Sequence, residues 1–431
     1  MIIGSNREVL LNITTRCFLQ LMAILFYTPV AMTFIQVGTK PVDFVLSDLL
    51  VAILIFYYIP LIFYRKISSF ESQIFILIIG ATLFFILLGL FGTLETGTLL
   101  PLFSATKYTK VFFALLAGMG FAHLCAVDYF WRLSTRAAVI IVALLLFSQI
   151  VITGNLAPRW GEMFLGAHVY GFPNSFATYC IVLLMLIIAA WTNQRKLYLS
   201  FVAVIAAGFV VMSLSRSGMV ALFFGIVAFF AVGMSWQKML KFLMISFVSL
   251  CCGWFIMHST GSLKQVESSL NARFARTFEK KDPSSGRIDI AAEALNLVAD
   301  KPLLGYHFDS FSKYHEGHDS THNQYLEAFF KTGLLGFFIY FFIIILLCYI
   351  ILRKMQLGLF SFVSRRYIIA FMCSLFAISA GNLTQPNFTY SQTGNVIFFT
   401  LGFLVLARPC GVRIDSLIDC PLNRTSADEI S

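Results

Sequence analysis

Apolar runs of about 17–25 residues, the length a helix needs to cross a bilayer, recur along this chain from end to end. They predict about twelve spans, near 17–36, 45–63, 73–92, 108–127, 137–153, 175–192, 197–214, 217–235, 240–258, 329–352, 367–384 and 393–407. A membrane β-barrel would instead show short segments of alternating polarity. The polar stretches between the runs are short except for one, residues 259–328. The pattern therefore predicts an all-α polytopic membrane protein in four parts. Residues 1–258 hold the first nine spans, 259–328 form one long loop, 329–407 hold the last three spans, and 408–431 are a tail.

Inside the long loop the polarity becomes helical in period. Ile288, Ala291, Ala294, Leu295 and Val298 are expected to share one face of a helix running from Arg287 to about Asp300. Asp282-Pro283-Ser284-Ser285 supplies a turn and a serine able to cap, and Lys301-Pro302 ends the helix. So short an amphipathic segment cannot bury a core of its own and is expected to lie on the mouth of the bundle. The last part of the loop, Asp319 to Gly336, leads into the apolar run Phe337 to Leu352. It places the imidazole of His322 just outside the membrane, where a helix enters.

Composition sharpens this picture. The chain is 59% hydrophobic and 12% charged, about half the charged fraction of a soluble protein. Its net charge of +10 does not indicate nucleic acid, because the basic residues sit in short loops between spans, where the positive-inside rule puts them. With the N-terminus inside, Arg65-Lys66, Arg132 and Arg136, Arg195-Lys196, Lys238 and Lys241, Arg353-Lys354 with Arg365-Arg366, and the tail with Arg408 and Arg413 all face the cytoplasm. Both termini are then cytoplasmic and the long loop is outside. Of the nine cysteines, Cys180, Cys251, Cys252, Cys348 and Cys373 lie in apolar runs, and the long loop has none, so no disulfide or cysteine-bound metal is implied. The first apolar run lacks a cleavage site and is expected to stay as a span.

Ionisable residues away from the cytoplasmic side carry the candidate chemistry. Arg216, in Ser213-Leu214-Ser215-Arg216-Ser217-Gly218, has apolar runs on both sides and almost no loop. A guanidinium there either binds an anion or snorkels from a turn. Arg287 opens the amphipathic helix, with Arg273 and Arg276 before it. Several planar guanidiniums at a membrane surface suit a diphosphate; the plainer alternative is a solvated basic loop touching headgroups. Arg159, Lys107 and Lys110, placed in outer loops, are further candidate phosphate contacts. His322, beside Asn323, can take a proton from a hydroxyl near neutral pH. His315, His318 and His322 with Glu316 and Asp319 were weighed as zinc ligands, but Gly317 and the Asp-Ser-Thr run suggest a loop without a closed ligand set. Glu327 reads as a helix-start residue.

Several motifs resemble the O-antigen ligase family, bacterial membrane glycosyltransferases that share the O-antigen ligase/polymerase domain. They are Phe172-Pro173-Asn174, Ser213 to Gly218, Ser285-Gly286-Arg287, Lys301-Pro302-Leu303-Leu304-Gly305-Tyr306, and His322-Asn323-Gln324-Tyr325-Leu326 followed by Gly333-Leu334-Leu335-Gly336. The resemblance runs from about the second span to the last, and its specificity lies in the order and spacing of the motifs around one long outer loop. It implies transfer of a glycan from undecaprenyl diphosphate to lipid A-core at the periplasmic face of the bacterial inner membrane, with no metal, nucleotide or other cofactor. The family histidine falls on His322, acting on the acceptor hydroxyl. The family arginines fall on Arg216 and Arg287 and more loosely on Arg273 or Arg276; with Asn323 and Arg159 these complete the expected substrate contacts. Alternatives are an O-antigen polymerase, a transferase that glycosylates protein, and a twelve-span transporter or flippase. A transporter would place charged or broken helices near the midplane and show internal duplication, and no repeat relates the two halves.

Overall fold

A computed structural model describes residues 13–37, 40–64, 67–153, 163–165, 167–168, 173–233, 235–259, 264, 267–268, 271, 286–315, 318, 320–389 and 391–407. Thirteen helices of more than ten residues order these. They are α1 (Ile13–Phe26), α2 (Leu46–Tyr64), α3 (Ser69–Thr96), α4 (Leu100–Ala122), α5 (Val127–Phe147), α6 (Asn174–Gln194) and α7 (Leu197–Met212). Then follow α8 (Arg216–Gly233), α9 (Trp236–Ser259), α10 (Arg287–Asp300), α11 (Gln324–Gln356), α12 (Phe362–Gly381) and α13 (Ser391–Leu406). Among the described residues seven helices are long and apolar enough to cross a membrane: α2, α3, α5 with its π-helical end at Ser148–Ile152, α6, α8, α11 and α12. Segments of α1, α7 and α13 are apolar but shorter.

The twelve predicted segments each hold one of these helices, with corrections. The first does not continue to residue 36. Pro29 disfavours helical backbone at Thr28 and lacks an N–H, so α1 stops at Phe26. The chain then forms β1 (Ala31–Val37) antiparallel to β2 (Lys40–Val45), with a register shift between Thr33 and Ile35. A second hairpin pairs β3 (Met163–Phe164) with β4 (Ala167–His168). Helix α4 begins at Leu100, helped by Pro101 in its first turn. Lys107 and Lys110 therefore lie within a helix, not in a loop, and Lys110 is paired with Asp48 at 2.7 Å.

α6 is the centre of the bundle and is buried along its span-forming window. α4 and α13 approach so closely that a Cβ at Gly118 would meet Phe399 O at 2.0 Å and one at Gly402 would meet Leu115 O at 2.0 Å. Small residues at such crossings let backbones touch where no water-driven force pulls helices together. The basic residues Arg195, Lys238, Arg353 and Arg366 gather at one end of the bundle, at the C-termini of α6 and α11 and the N-termini of α9 and α12. There Arg366 Nη1 donates to Thr192 O at 3.0 Å, and Lys354 Nζ caps the end of α13 by donating to Ala407 O at 2.7 Å.

At the opposite end α11 departs most from the prediction of one straight span. Gly333 has φ 62°, ψ −169°, a conformation outside the helical region. Across it the helix folds back on itself. Phe329 and Phe337 rings lie 5.6 Å apart and Tyr325 and Phe341 rings 5.1 Å apart, whereas residues sixteen apart on a straight helix are about 24 Å apart. An arm, 324–332, thus runs beside the start of the span proper, 334–356, which at about 34 Å is long enough to cross.

The loop 302–308 fills the break. Tyr306 N–H donates to Phe330 O at 2.8 Å and Phe308 N–H to Lys331 O at 3.0 Å, while Leu334 and Leu335 N–H donate to Pro302 O and Leu303 O at 2.8 and 3.2 Å. Backbone groups freed by the break are thereby satisfied within the protein. The Phe308 ring seats the loop between Phe85 and Tyr108. α10 packs Ile290, Ala294 and Val298 against Tyr306, Phe311 and Phe330. Its apolar face is therefore rotated from the expected one: Ile288 and Leu295 are exposed, because the partner lies on the side facing the arm. Its cap is Gly286, with φ 80° and no capping side chain; Ser284 and Ser285 lie outside the described residues.

The close fit of Gly305 and Gly333 is testable. A Cβ at Gly333 would lie 2.3 Å from Leu303 O and demand a left-handed conformation. Gly333→Ala is expected to destabilise by roughly 2–4 kcal/mol and to lower the melting temperature in detergent. A wild-type melting curve would show that the fold-back does not need glycine.

Candidate functional site

The site is built where four helix N-termini meet the turn that follows α12. α6 starts at Asn174 and α8 at Arg216, in contact: a Cβ at Gly218 would lie 2.5 Å from Ala177 Cβ. Ser215 caps α8 by accepting from Gly218 N–H at 3.1 Å and donates to Asn174 Oδ1 at 2.8 Å. Asn174 Nδ2 in turn donates to Gln385 Oε1 at 3.3 Å, and the Gln385 side chain sits against the His322 ring. The turn after α12 also fixes the start of α11, because Gln324 N–H donates to Asn382 O at 2.9 Å and Asn382 Oδ1 accepts from Asn387 N–H at 3.0 Å. Three separate sequence motifs and a turn are thus joined by one hydrogen-bonded set.

His322 has a left-handed backbone, φ 54°, one residue before the helix cap. Because the arm folds back, Tyr325 lies level with Phe341, and the histidine is set below the break rather than at the outermost point of α11. His322 Nδ1 is buried and makes no hydrogen bond. Burial pushes the ring's pKa down first, the cation of Arg287 pushes it further and His318 adds to this, with Glu327 and Gln385 acting in the opposite sense. The balance favours the neutral ring. Arg287, half-buried at the start of α10, is itself lowered, chiefly by burial and then by Arg216. Arg216, Arg287 and His322 accordingly share one field, at helix N-termini whose dipoles add positive potential.

The expected site residues are therefore partly assembled. Arg216, Arg287 and His322 come together. Asn323 stands beside them, yet its Oδ1 accepts from Tyr325 and Leu326 N–H at 2.9 and 3.2 Å, so its side chain caps α11. Arg159, Arg273 and Arg276 lie outside the described residues. The rings of His315, His318 and His322 form a row, with centroids 5.4 and 5.7 Å apart. Among the described residues no group of three His, Cys, Asp or Glu is placed to hold a metal ion; Glu316 and Asp319 are outside them.

Sequence reasoning missed two parts. The tie from Asn174 to the turn is not visible in its motif, and Asn382, Gln385 and Asn387 are signalled only by a polar run between two apolar segments. Glu327 was taken as a helix-start residue. It is buried, pairs with Lys331 at 2.6 Å, and accepts a hydrogen bond from Ser320 Oγ.

Fold and site together define a multi-pass membrane protein in which two guanidiniums and an imidazole meet at helix N-termini. Residues 201–341, from α7 into the span of α11, match the family model described as O-antigen ligase. The match contains Arg216, Arg287 and His322. Comparison with curated proteins gives no match.

Arg287→Gln removes the cation that adds to burial in lowering the imidazole's pKa. Its His322 titration, followed by NMR of ring-labelled histidine, is expected to move up by roughly half a pH unit to one unit. An unmoved midpoint would separate the two residues.

Proposed function

We propose that the protein is an O-antigen ligase that transfers a glycan from undecaprenyl diphosphate to lipid A-core at the periplasmic face of the inner membrane. The observation that carries this is the shared field of Arg216, Arg287 and His322 at the meeting of helix N-termini. The acceptor hydroxyl gives its proton to His322 as its oxygen attacks the anomeric carbon. The carbon–phosphate oxygen bond breaks, and its electron pair leaves with undecaprenyl diphosphate. Negative charge grows on the departing phosphate, and preorganised cations in a partly dry site are the groups that stabilise it. Arg216 and Arg287 take that role, with Arg273, Arg276 and Arg159 as further donor contacts. The displacement is single and inverts the anomeric centre. The paired carboxylates of a glycosidase are not used.

The site lies at the end of the bundle away from the basic helix ends, which supports a periplasmic site, cytoplasmic termini and about twelve spans. A transporter reading draws on the broken helix α11, since broken helices line transport sites. This break is instead filled by loop 302–308, which disfavours that reading.

Purified protein mixed with lipid-linked donor and lipid A-core is expected to form product without ATP or added cation, with inverted configuration. His322→Ala is expected to lower turnover by at least about a hundredfold while expression stays normal. Wild-type turnover in that variant would return His322 to a structural role. Product formed only with a second lipid-linked repeat as acceptor would make the protein a polymerase.

A further inference from the structure

A carboxylate buried in an apolar helix is costly unless it is paired and hydrogen-bonded. Glu327 meets that condition through contacts that lead to the candidate base. One oxygen pairs with Lys331 Nζ at 2.6 Å, and Lys331 also donates to Ser104 Oγ of α4 at 2.9 Å. The other accepts from Ser320 Oγ–H, and Ser320 Oγ accepts the His322 N–H at 3.2 Å. The carboxylate is thus bridged by one hydroxyl to the backbone of the residue whose φ is 54°. From α4, Lys107 also acts on Glu327, and Tyr108 faces it. Around the imidazole stand Arg287 from α10, His318 from the preceding loop and Gln385 from the turn after α12; Glu327 is the one carboxylate among the described residues that acts on it.

Resting on the ligase reading, we infer that Glu327 is a positioning residue: through Ser320 it fixes the left-handed turn that aims His322, and its buried charge stabilises the imidazolium formed when His322 takes the acceptor proton. The proton moves from the acceptor hydroxyl to a ring nitrogen and no further. Glu327 stays ionised throughout, held by Lys331. Without it the new cation would face Arg287 and His318 with no opposing charge.

The test uses the full chain in nanodiscs. Glu327→Gln keeps an oxygen for Ser320 but removes the charge. Because it strands Lys331, the double variant E327Q/K331M serves as the folding control. In both, the His322 titration and the acid limb of the pH–rate profile are expected to move down by roughly half a pH unit to one unit, with turnover about tenfold lower and donor KM unchanged. A His322 titration that stays at the wild-type value in the folded double variant overturns the proposal, even if turnover falls, because the loss is then structural. Wild-type protein that transfers no glycan defeats the ligase reading instead, and the titration still decides whether Glu327 acts on His322.

Discussion

A helix that stops inside a membrane protein leaves N–H and C=O groups that no lipid can satisfy. In this protein the exchange between loop 302–308 and the break at Gly333 meets that constraint. Two loop amides donate to carbonyls of the arm, and two amides of the span donate to loop carbonyls. Glycine is required on both sides, since a Cβ at Gly305 would lie 2.4 Å from Phe330 O and one at Gly333 would strike the loop backbone. Once the break is satisfied, the arm can turn back into the bundle and carry His322 down to the starts of α6 and α8. The loop is pinned by Phe308 among the aromatics of α3 and α4, and by His307 Nδ1 at 2.9 Å from Glu95.

The electrostatics of the site follow from this geometry. Arg216 and Arg287 each begin a helix, so guanidinium and helix terminus reinforce one another at the same place. Burial, and after it the cation of Arg287, pushes the imidazole's pKa down and so favours the unprotonated ring. The carboxamides of Asn174 and Gln385 hold the pieces in register without adding charge. On the proposed ligase reading, such a site separates the group that accepts a proton from the groups that accept phosphate charge.

Much of this was legible in the residues. Long apolar runs locate the helices because crossing demands length, and the extent of α10 follows from its period and from Lys301-Pro302. Other features were not legible, for physical reasons. Hydropathy measures how apolar a segment is, not its direction, so β1 was absorbed into the first predicted span and the fold-back of α11 was read as one straight helix. The buried face of α10 depends on where its partner lies, which periodicity does not contain. Glu327 looks like an ordinary polar start to a helix, since Lys107, which acts on it, and Ser104, which binds its partner Lys331, are more than two hundred residues away. Arg216 and His322 stood out because a cation beside almost no loop, or an imidazole beside a span, is conspicuous without knowledge of the fold.

The interlocking glycines of α4 and α13 also constrain how the molecule is made. Gly118 and Gly402 lie where α4 and α13 approach so tightly that neither helix finds its final neighbour until both are present, and α13 comes far along the chain from α4. α4 must therefore wait in the bilayer with its smooth side unmatched while the intervening helices insert. Closure of this core therefore waits for α13, which acts as its keystone.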